Sequence, residues 1–231
     1  MAETEKTAPK ASGFDFGGCF KGSLDVVKGT FVKPASEGAS KLDKFKDAKF
    51  TGFFVVFAIL IETVITLITA IFSTVVTKSY NLFSGETKTS INWGNLEHFD
   101  FWKTLGNGLL YGAIIIAVVA VIAYVVALVM KKSPNFLKLA GIVAAGIIPY
   151  FACCLLGAIL GLLSTDLNMI VTIIGLVYSG TLVISGIDKE VAAEGDKKVY
   201  FHALSISIVV ILLYYISINI LKSSIFGGLG L

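Results

Sequence analysis

Long apolar stretches separated by short polar segments fill most of the chain after residue 50. A helix needs about 20 mostly apolar residues to cross the roughly 30 Å hydrocarbon core of a bilayer. Five stretches have this length: 52–72, 108–130, 139–163, 167–187 and 203–221. They are about three times longer than a typical strand of 4–8 residues, and a helix satisfies its own backbone hydrogen bonds in lipid. The pattern therefore predicts an all-α integral membrane protein whose five transmembrane helices lie in a membrane domain of residues 51–222.

The third and fourth stretches are separated only by Ser164, Thr165 and Asp166. Ser, Thr and Asp are preferred at helix N-caps, so a new helix is expected to begin directly at this turn. The sequence therefore predicts a tight antiparallel hairpin of the third and fourth helices. Pro149, inside the third stretch, lacks a backbone N–H and is a candidate hinge in that helix.

The residues before the first span fall into two parts. Residues 1–20 are polar, which predicts a flexible cytosolic tail. Residues 21–50 form an amphipathic juxtamembrane segment, in which Leu24, Val27 and Phe31 recur at helical spacing among lysines. Two short cytosolic helices in the plane of the inner leaflet would explain this pattern. The alternative is a solvated tail whose lysines only set the orientation of the chain.

The distribution of lysines predicts how the chain is threaded, because lysines are enriched on the cytoplasmic side of membrane loops. With a cytosolic N-terminus, 15 of the 19 lysines fall on the cytosolic side. The four lysines between residues 41 and 49 alone favour the same orientation. We therefore expect a cytosolic N-terminus and, after five spans, an extracytoplasmic C-terminus.

The composition excludes several other classes of protein. Apolar residues make up 55% of the chain and charged residues 15%, with a mean hydropathy of +0.84. Soluble domains have about 25% charged residues, so a soluble globular fold is excluded. The net charge is only +3 and every cation is a lysine, so no arginine is present to make bidentate contacts and no nucleic-acid partner is expected.

Glu62 is the only acidic residue deep inside a predicted span. An ionised carboxylate at the bilayer centre costs about 2.5–3.5 kcal/mol on insertion scales, and no lysine lies mid-span to pair with it. One hypothesis is structural: a protonated carboxyl that is hydrogen-bonded to a neighbouring helix holds the bundle in register. The second is a proton or ion path that Thr63, Thr66 and Thr69 assist, and the third is contact with a partner protein.

The sequence carries no motif of a common enzyme class, such as HExxH, GxSxG, a P-loop or GxGxxG. No catalytic residue and no cofactor is therefore assigned. The loop of residues 74–107 holds both tryptophans, Trp93 and Trp102, as expected of an aromatic belt at the membrane surface. Glu97, His98 and Asp100 cluster in this loop, but no second histidine lies nearby and no metal site is expected.

Small residues spaced four apart predict where helices approach closely. Gly108 and Gly112 form one GxxxG pair, and Gly157 and Gly161 form another. We expect these pairs to pack helices within the chain, with a homo-oligomer as the alternative. The adjacent Cys153 and Cys154 are expected to serve packing as well.

Four short stretches carry a resemblance to a known family: Phe31–Pro34, Gly146–Pro149, Ile174–Ser179 and Ile184–Ile187. Together with the layout of spans and loops, they resemble the Yip (Ypt-interacting protein) domain family, especially its bacterial members, over about residues 31–221. The resemblance implies a five-helix bundle with a cytosolic N-terminus. Eukaryotic members are associated with Rab-type GTPases, but their Asp-Leu-Tyr-Gly-Pro and Gly-Tyr-Gly-Pro signatures are missing here, so a GTPase partner is not supported. No site residue is carried over.

Two functions remain open. The first is a non-enzymatic membrane scaffold or organiser, in contact with the lipid bilayer and docking membrane protein partners or a second copy. The second is a small transporter or ion-path component that uses Glu62, although the internal repeats common in transporters are not apparent. The lack of arginine and the bacterial-type resemblance favour the bacterial cytoplasmic membrane.

Overall fold

A computed structural model of the chain describes residues 14–34, 42–80, 87–191, 195, 199–200 and 203. The helices of this part are α1 (Phe16–Val32), α2 (Ala48–Val75), α3 (Phe101–Val129), α4 (Phe136–Leu160) and α5 (Thr165–Val191). Short 3₁₀ helices at Leu42–Lys46 and Trp93–His98 precede α2 and α3, and the strands β1 (Val76–Tyr80) and β2 (Thr87–Ile91) follow α2. The predicted fifth span, 203–221, lies outside the described residues except for Ala203.

Helices α2 to α5 are long and apolar enough to cross a membrane. They coincide with the first four predicted spans, so the prediction of a mostly helical integral membrane protein is confirmed. The helices α2, α3 and α4 begin earlier than the apolar stretches because side chains cap them. Asp47 accepts a hydrogen bond from the Lys49 N–H at 2.9 Å, and Asp100 and Asn135 cap α3 and α4 in the same way.

The connection between α2 and α3 contains structure that a search for apolar stretches does not detect. Strands β1 and β2 pair antiparallel, with Val76 opposite Ile91 and Tyr80 opposite Thr87. The Asn95 side-chain amide donates to the Thr74 carbonyl at 3.0 Å, which ties the following 3₁₀ helix to the end of α2. The described chain is therefore helical in its spanning segments and adds a two-stranded ribbon outside them.

Helix α4 is the centre of the described bundle. It contacts α1, the first 3₁₀ helix, α2, α3 and α5, and every residue from Leu139 to Pro149 is buried. A helix that is surrounded on all sides needs small residues where its neighbours approach. A Cβ at Gly141 would lie 2.7 Å from the Phe45 ring, and a Cβ at Gly146 would lie 2.5 Å from Val183 Cγ2. Both positions are therefore restricted to glycine by the packing around them.

Both GxxxG pairs lie against helices of the same chain. In the first pair, a Cβ at Gly108 would lie 3.0 Å from the Thr63 Cα of α2. In the second pair, a Cβ at Gly157 would lie 2.6 Å from Asn168 Oδ1 of α5. These close approaches are intramolecular, as predicted.

Large apolar side chains are exposed on the outward faces of the spanning helices. On α2, Val56, Leu60 and Val64 are 55%, 49% and 53% exposed, and similar faces occur on α3 and α5. A contiguous exposed apolar surface of this kind is typical of a membrane-contacting protein. The lipid bilayer is therefore the direct surrounding of these helices.

Candidate functional site

Glu62, the predicted intramembrane site residue, lies in the middle of α2 and is only 5% exposed. The Thr66 hydroxyl, one turn along the helix, donates to Glu62 Oε1 at 3.0 Å. The other carboxyl oxygen, Oε2, is buried and has no hydrogen-bond partner in the described part of the chain. A buried polar atom without a partner is rare and costs about 1–3 kcal/mol, so this oxygen requires a physical explanation.

Side chains from two neighbouring helices surround Glu62. A Cβ at Gly112 of α3 would lie 3.3 Å from both Cβ and Cγ of Glu62, which shows how closely α3 approaches. Glu62 interacts electrostatically with Tyr111 of α3 and Cys154 of α4. The Tyr150 side chain of α4 lies close enough to Tyr111 and Cys154 to interact with both. We define the midspan cluster as Glu62, Thr66, Tyr111, Tyr150 and Cys154.

Lysines are placed only at the ends of the helices that form the midspan cluster. The helices α2, α3 and α4 each contain one lysine, in the first turn: Lys49, Lys103 and Lys138. With a rise of 1.5 Å per residue, Lys49 lies about 20 Å along the helix from Glu62. These three helices therefore provide no cation to pair with an ionised Glu62.

Pro149, the candidate hinge, lies beside the midspan cluster. It is buried inside α4. The N–H of the next residue, Tyr150, donates to Ser179 Oγ of α5 at 2.8 Å. Pro149 is therefore adjacent to the midspan cluster through Tyr150, its neighbour in the chain.

Three members of the cluster were missed by the sequence analysis: Tyr111, Tyr150 and Cys154. They belong to two different helices, and only helix packing brings Tyr111 and Cys154 to Glu62 and Tyr150 to both of them. Both cysteines were expected to serve packing. Cys153 packs against Gly175, whereas Cys154 is part of the midspan cluster. Two features of the sequence could have pointed to the tyrosines: Tyr111 directly precedes a glycine of a GxxxG pair, and Tyr150 directly follows the proline inside its helix.

The surface of α1 is a second candidate site. The helix begins at Phe16, inside the segment expected to be a tail, because Asp15 accepts a hydrogen bond from the Gly18 N–H at 2.9 Å and caps it. Its side chains form three faces. One face is buried against the bundle, the second is apolar and exposed, and the third carries Lys21, Asp25 and Lys28. The exposed apolar face consists of Phe16, Phe20, Leu24 and Phe31.

The geometry of the helix separates these faces clearly. At about 100° per residue, the four exposed apolar side chains fall within about 80° of one another, between the buried and the charged faces. They are 43–62% exposed. We call these four residues the α1 apolar face. An in-plane helix at a membrane surface has this arrangement of an apolar and a charged face.

Contacts at both ends hold α1 on the bundle. The Phe16 ring lies edge-on to Phe53 of α2, with centroids 5.3 Å apart, and Phe20 lies edge-on to Phe57 at 5.7 Å. Toward the other end, the Tyr178 hydroxyl of α5 donates to the carbonyl of Thr30 at 2.9 Å. The α1 apolar face is therefore held in a defined orientation, with Phe16 and Phe20 against the side of α2 and all four side chains partly exposed.

Two ion pairs lie at the end of the bundle near α1. Lys138 at the start of α4 pairs with Glu190 near the end of α5, and both side chains are mostly buried. Lys46 pairs with Asp43 at 2.8 Å. By hydrogen bond and charge, Lys46 lowers the pKa of Asp43 and Asp43 raises the pKa of Lys46. Both members of this second pair are exposed, so it adds little to stability.

The described residues include no group of three His, Cys, Asp or Glu side chains that could hold a metal ion.

Among known families, the Yip1 domain matches residues 28–218, which is most of the chain. The chain belongs to the Yip1 domain family. The predicted resemblance is thereby confirmed. Comparisons with curated proteins and with solved structures found no match. The matched range of this Yip1-domain chain includes the end of α1, all four described spanning helices and the midspan cluster.

Proposed function

We propose that this Yip1-domain protein is a non-enzymatic membrane scaffold that binds and organises the cytosolic leaflet through α1. The observation that carries the proposal is the three-faced surface of α1, with its apolar face exposed beside a row of charged residues. A helix buried in protein needs no second apolar face, and a solvated helix gains nothing from one. A bilayer surface accounts for both the apolar and the charged face.

Lipid is favoured as the occupant because the α1 apolar face continues the outward surface of α2. Phe16 and Phe20 lie edge-on to Phe53 and Phe57, which belong to the first spanning helix. Lys21 and Lys28 lie next to this apolar face, where anionic headgroups would meet them. Each basic residue near an anionic leaflet contributes about 1 kcal/mol to binding.

The proposal includes a topology of five transmembrane helices with the N-terminus in the cytosol and the C-terminus outside. The contact of Phe45 with Gly141 puts the starts of α2 and α4 at one end of the bundle. The lysines before α2, after α3 and at the start of α4 therefore lie at the same end, and lysines are enriched on the cytosolic side. The close contacts of α4 with α5 support the third–fourth hairpin. We place the protein in the bacterial cytoplasmic membrane on its bacterial-type resemblance.

Lipid-quenched fluorescence tests the position of α1 in the full-length protein. In a background with Trp93→Phe and Trp102→Phe, a single tryptophan is introduced by Leu24→Trp on the apolar face or by Lys28→Trp on the charged face. In anionic liposomes, brominated acyl chains should quench the Leu24 variant strongly and the Lys28 variant weakly, and an aqueous quencher should show the reverse order. Equal quenching of both variants from the aqueous side would contradict the proposal.

The scaffold role itself is tested by what the protein does to the membrane. Reconstituted wild-type protein should change the size distribution of anionic vesicles, and Leu24→Asp, which places a charge on the apolar face, should abolish this effect. The matched control Lys28→Asp keeps the apolar face and should weaken the effect only in anionic vesicles. If wild type and Leu24→Asp act equally, α1 does not organise the leaflet.

A second candidate function, a small transporter or ion-path component, is favoured by the unpartnered oxygen of Glu62. Proton or solute flux into proteoliposomes that is lost in Glu62→Gln would support it. Docking of a membrane protein partner or a second copy is compatible with the scaffold proposal. A GTPase partner has no motif to support it.

A further inference from the structure

The charge state of Glu62 follows from the geometry of the midspan cluster and is independent of the scaffold role. We propose that Glu62 carries a bound proton at neutral pH, so that the midspan cluster is a proton-binding site at the centre of the membrane domain. The site would take a proton as its ligand and would make Glu62 a target for hydrophobic reagents that modify carboxylic acids.

An ionised Glu62 is poorly supported by its surroundings. The side chain is 5% exposed, Oε1 has one hydrogen bond from a neutral hydroxyl, and Oε2 has no partner within the described ranges. A buried charge is stable only when it is paired and fully hydrogen-bonded. The carboxylate would meet neither condition here.

A neutral Glu62 uses the same contacts without this cost. The 3.0 Å contact between Oε1 and Thr66 can equally have the acid proton on Oε1, donated to the threonine oxygen. The Thr66 hydroxyl can then donate to the backbone carbonyl four residues earlier, as Thr63 and Thr74 do in the same helix. Oε2 becomes a carbonyl oxygen without a donor, which is less costly to bury than a charge.

The groups that face Glu62 from the packed helices are neutral. Tyr111 of α3 is a phenol and Cys154 of α4 is a thiol, and Tyr150 of α4, which interacts with both of them, is a phenol as well. The ordinary states of phenols and thiols at neutral pH are uncharged. The lysines of these helices lie in their first turns, far from the cluster. No cation of α2, α3 or α4 therefore lies near Glu62 to stabilise a negative charge, and the Thr66 hydroxyl is left as its donor on these helices.

Modification by dicyclohexylcarbodiimide tests the proposal on the full-length protein in liposomes. The proton of a neutral carboxylic acid transfers to a carbodiimide nitrogen while the carboxyl oxygen bonds to the central carbon, and the resulting O-acylisourea rearranges to a stable N-acylurea. We expect Glu62 to be modified at pH 7 with one added carbodiimide mass on the peptide that contains it. A water-soluble carbodiimide should not reach the site.

Asp166 is the internal control, since it is an exposed carboxylate at the start of α5. It should remain unmodified by the hydrophobic reagent in the same sample. Modification of Asp166 to the same extent as Glu62, or no modification of Glu62, would overturn the proposal. Glu62→Gln should remove the modified peptide and leave the rest of the map unchanged.

Infrared spectroscopy gives a second measurement that needs no variant to fold. The wild-type protein should show the carbonyl stretch of a protonated carboxylic acid at pH 7, and this band should disappear only at alkaline pH. Where Glu62→Gln folds, it should lack the band at every pH. A wild-type spectrum without this band at pH 7 would show that Glu62 is ionised, and the proposal would fail even if transport or scaffolding were demonstrated.

Discussion

Gly146 offers a direct test of how closely α4 and α5 are packed. A Cβ at this position would lie 2.5 Å from Val183 Cγ2 and 3.0 Å from the Val183 backbone nitrogen. The Val183 side chain has little freedom to turn away, because valine in a helix strongly prefers one rotamer. The backbone nitrogen cannot move without α5. The variant Gly146→Ala must therefore separate the two helices or distort one of them.

The expected cost follows from two opposing terms. Overpacking a close-packed interior costs about 1–3 kcal/mol, whereas alanine is up to about 1 kcal/mol better than glycine inside a helix. Because one of the two clashes is with backbone, we expect Gly146→Ala to lower the free energy of unfolding by about 1–2 kcal/mol. Equilibrium unfolding in mixed micelles, followed by circular dichroism, measures this difference.

Gly180 is the matched control, since it lies in α5 and a Cβ there would have no atom within 4 Å. Gly180→Ala should leave stability unchanged or raise it slightly through helix propensity. The double variant Gly146→Ala/Val183→Ala should recover part of the loss, because it removes the side-chain clash and leaves the backbone contact. If Gly146→Ala is as stable as Gly180→Ala, the close contact does not exist and the reasoning is refuted.

Three further predictions concern single contacts. Ser179→Ala removes the acceptor of the Tyr150 N–H and should lower the free energy of unfolding by about 1–2 kcal/mol in the same assay. The control Ser185→Ala, at an exposed position, should cause no measurable change, and equal effects of the two variants would contradict the prediction. Glu190→Gln leaves the mostly buried Lys138 without its charged partner and should lower the free energy of unfolding by about 1.5–3 kcal/mol. The exchange Lys138→Glu/Glu190→Lys should restore most of this loss. If the exchange is no more stable than the single variant, the ion pair does not stabilise the fold. The pKa of Asp43 should lie below 3.8, and Lys46→Met should return it toward that value in a carboxyl NMR titration. Because the pKa of Asp43 is lowered in the folded protein, the small stabilisation from this pair is present at neutral pH and is lost as the pH falls through the lowered value. An unchanged titration of Asp43 in Lys46→Met would contradict the assignment.

Much of the membrane architecture could be read from the sequence because the bilayer imposes a length on every spanning helix. The starts of α2, α3 and α4 were less predictable, since Asp47, Asp100 and Asn135 extend the helices into polar sequence that an apolar stretch does not include. The β1–β2 ribbon was not predicted because it lies outside the hydrocarbon, where no such length rule applies. The amphipathic spacing of Leu24 and Phe31 was visible, but the start of α1 at Phe16 depends on a cap and on ring contacts with α2.

The candidate site shows the same division. Glu62 was identified from the sequence alone, because the cost of a carboxyl in hydrocarbon depends only on its position within a span. Its neighbours could not be identified in this way. Tyr111 and Cys154 reach Glu62, and Tyr150 joins them, only because Gly112 lets α3 approach α2 and because α4 occupies the centre of the bundle.

By itself, the sequence determined that this is a membrane protein and which residues form its four described spans. It also determined which family the chain belongs to and which carboxyl lies at an unusual position inside a span. Those properties depend on local hydrophobicity and on short sequence stretches, which each segment carries without its neighbours. Only the tertiary structure decided which faces of the helices meet, which polar groups gather at midspan and which face of α1 is left for the membrane. Those properties depend on the close approach of helices far apart in sequence, and that approach is set by where glycines allow two backbones to touch.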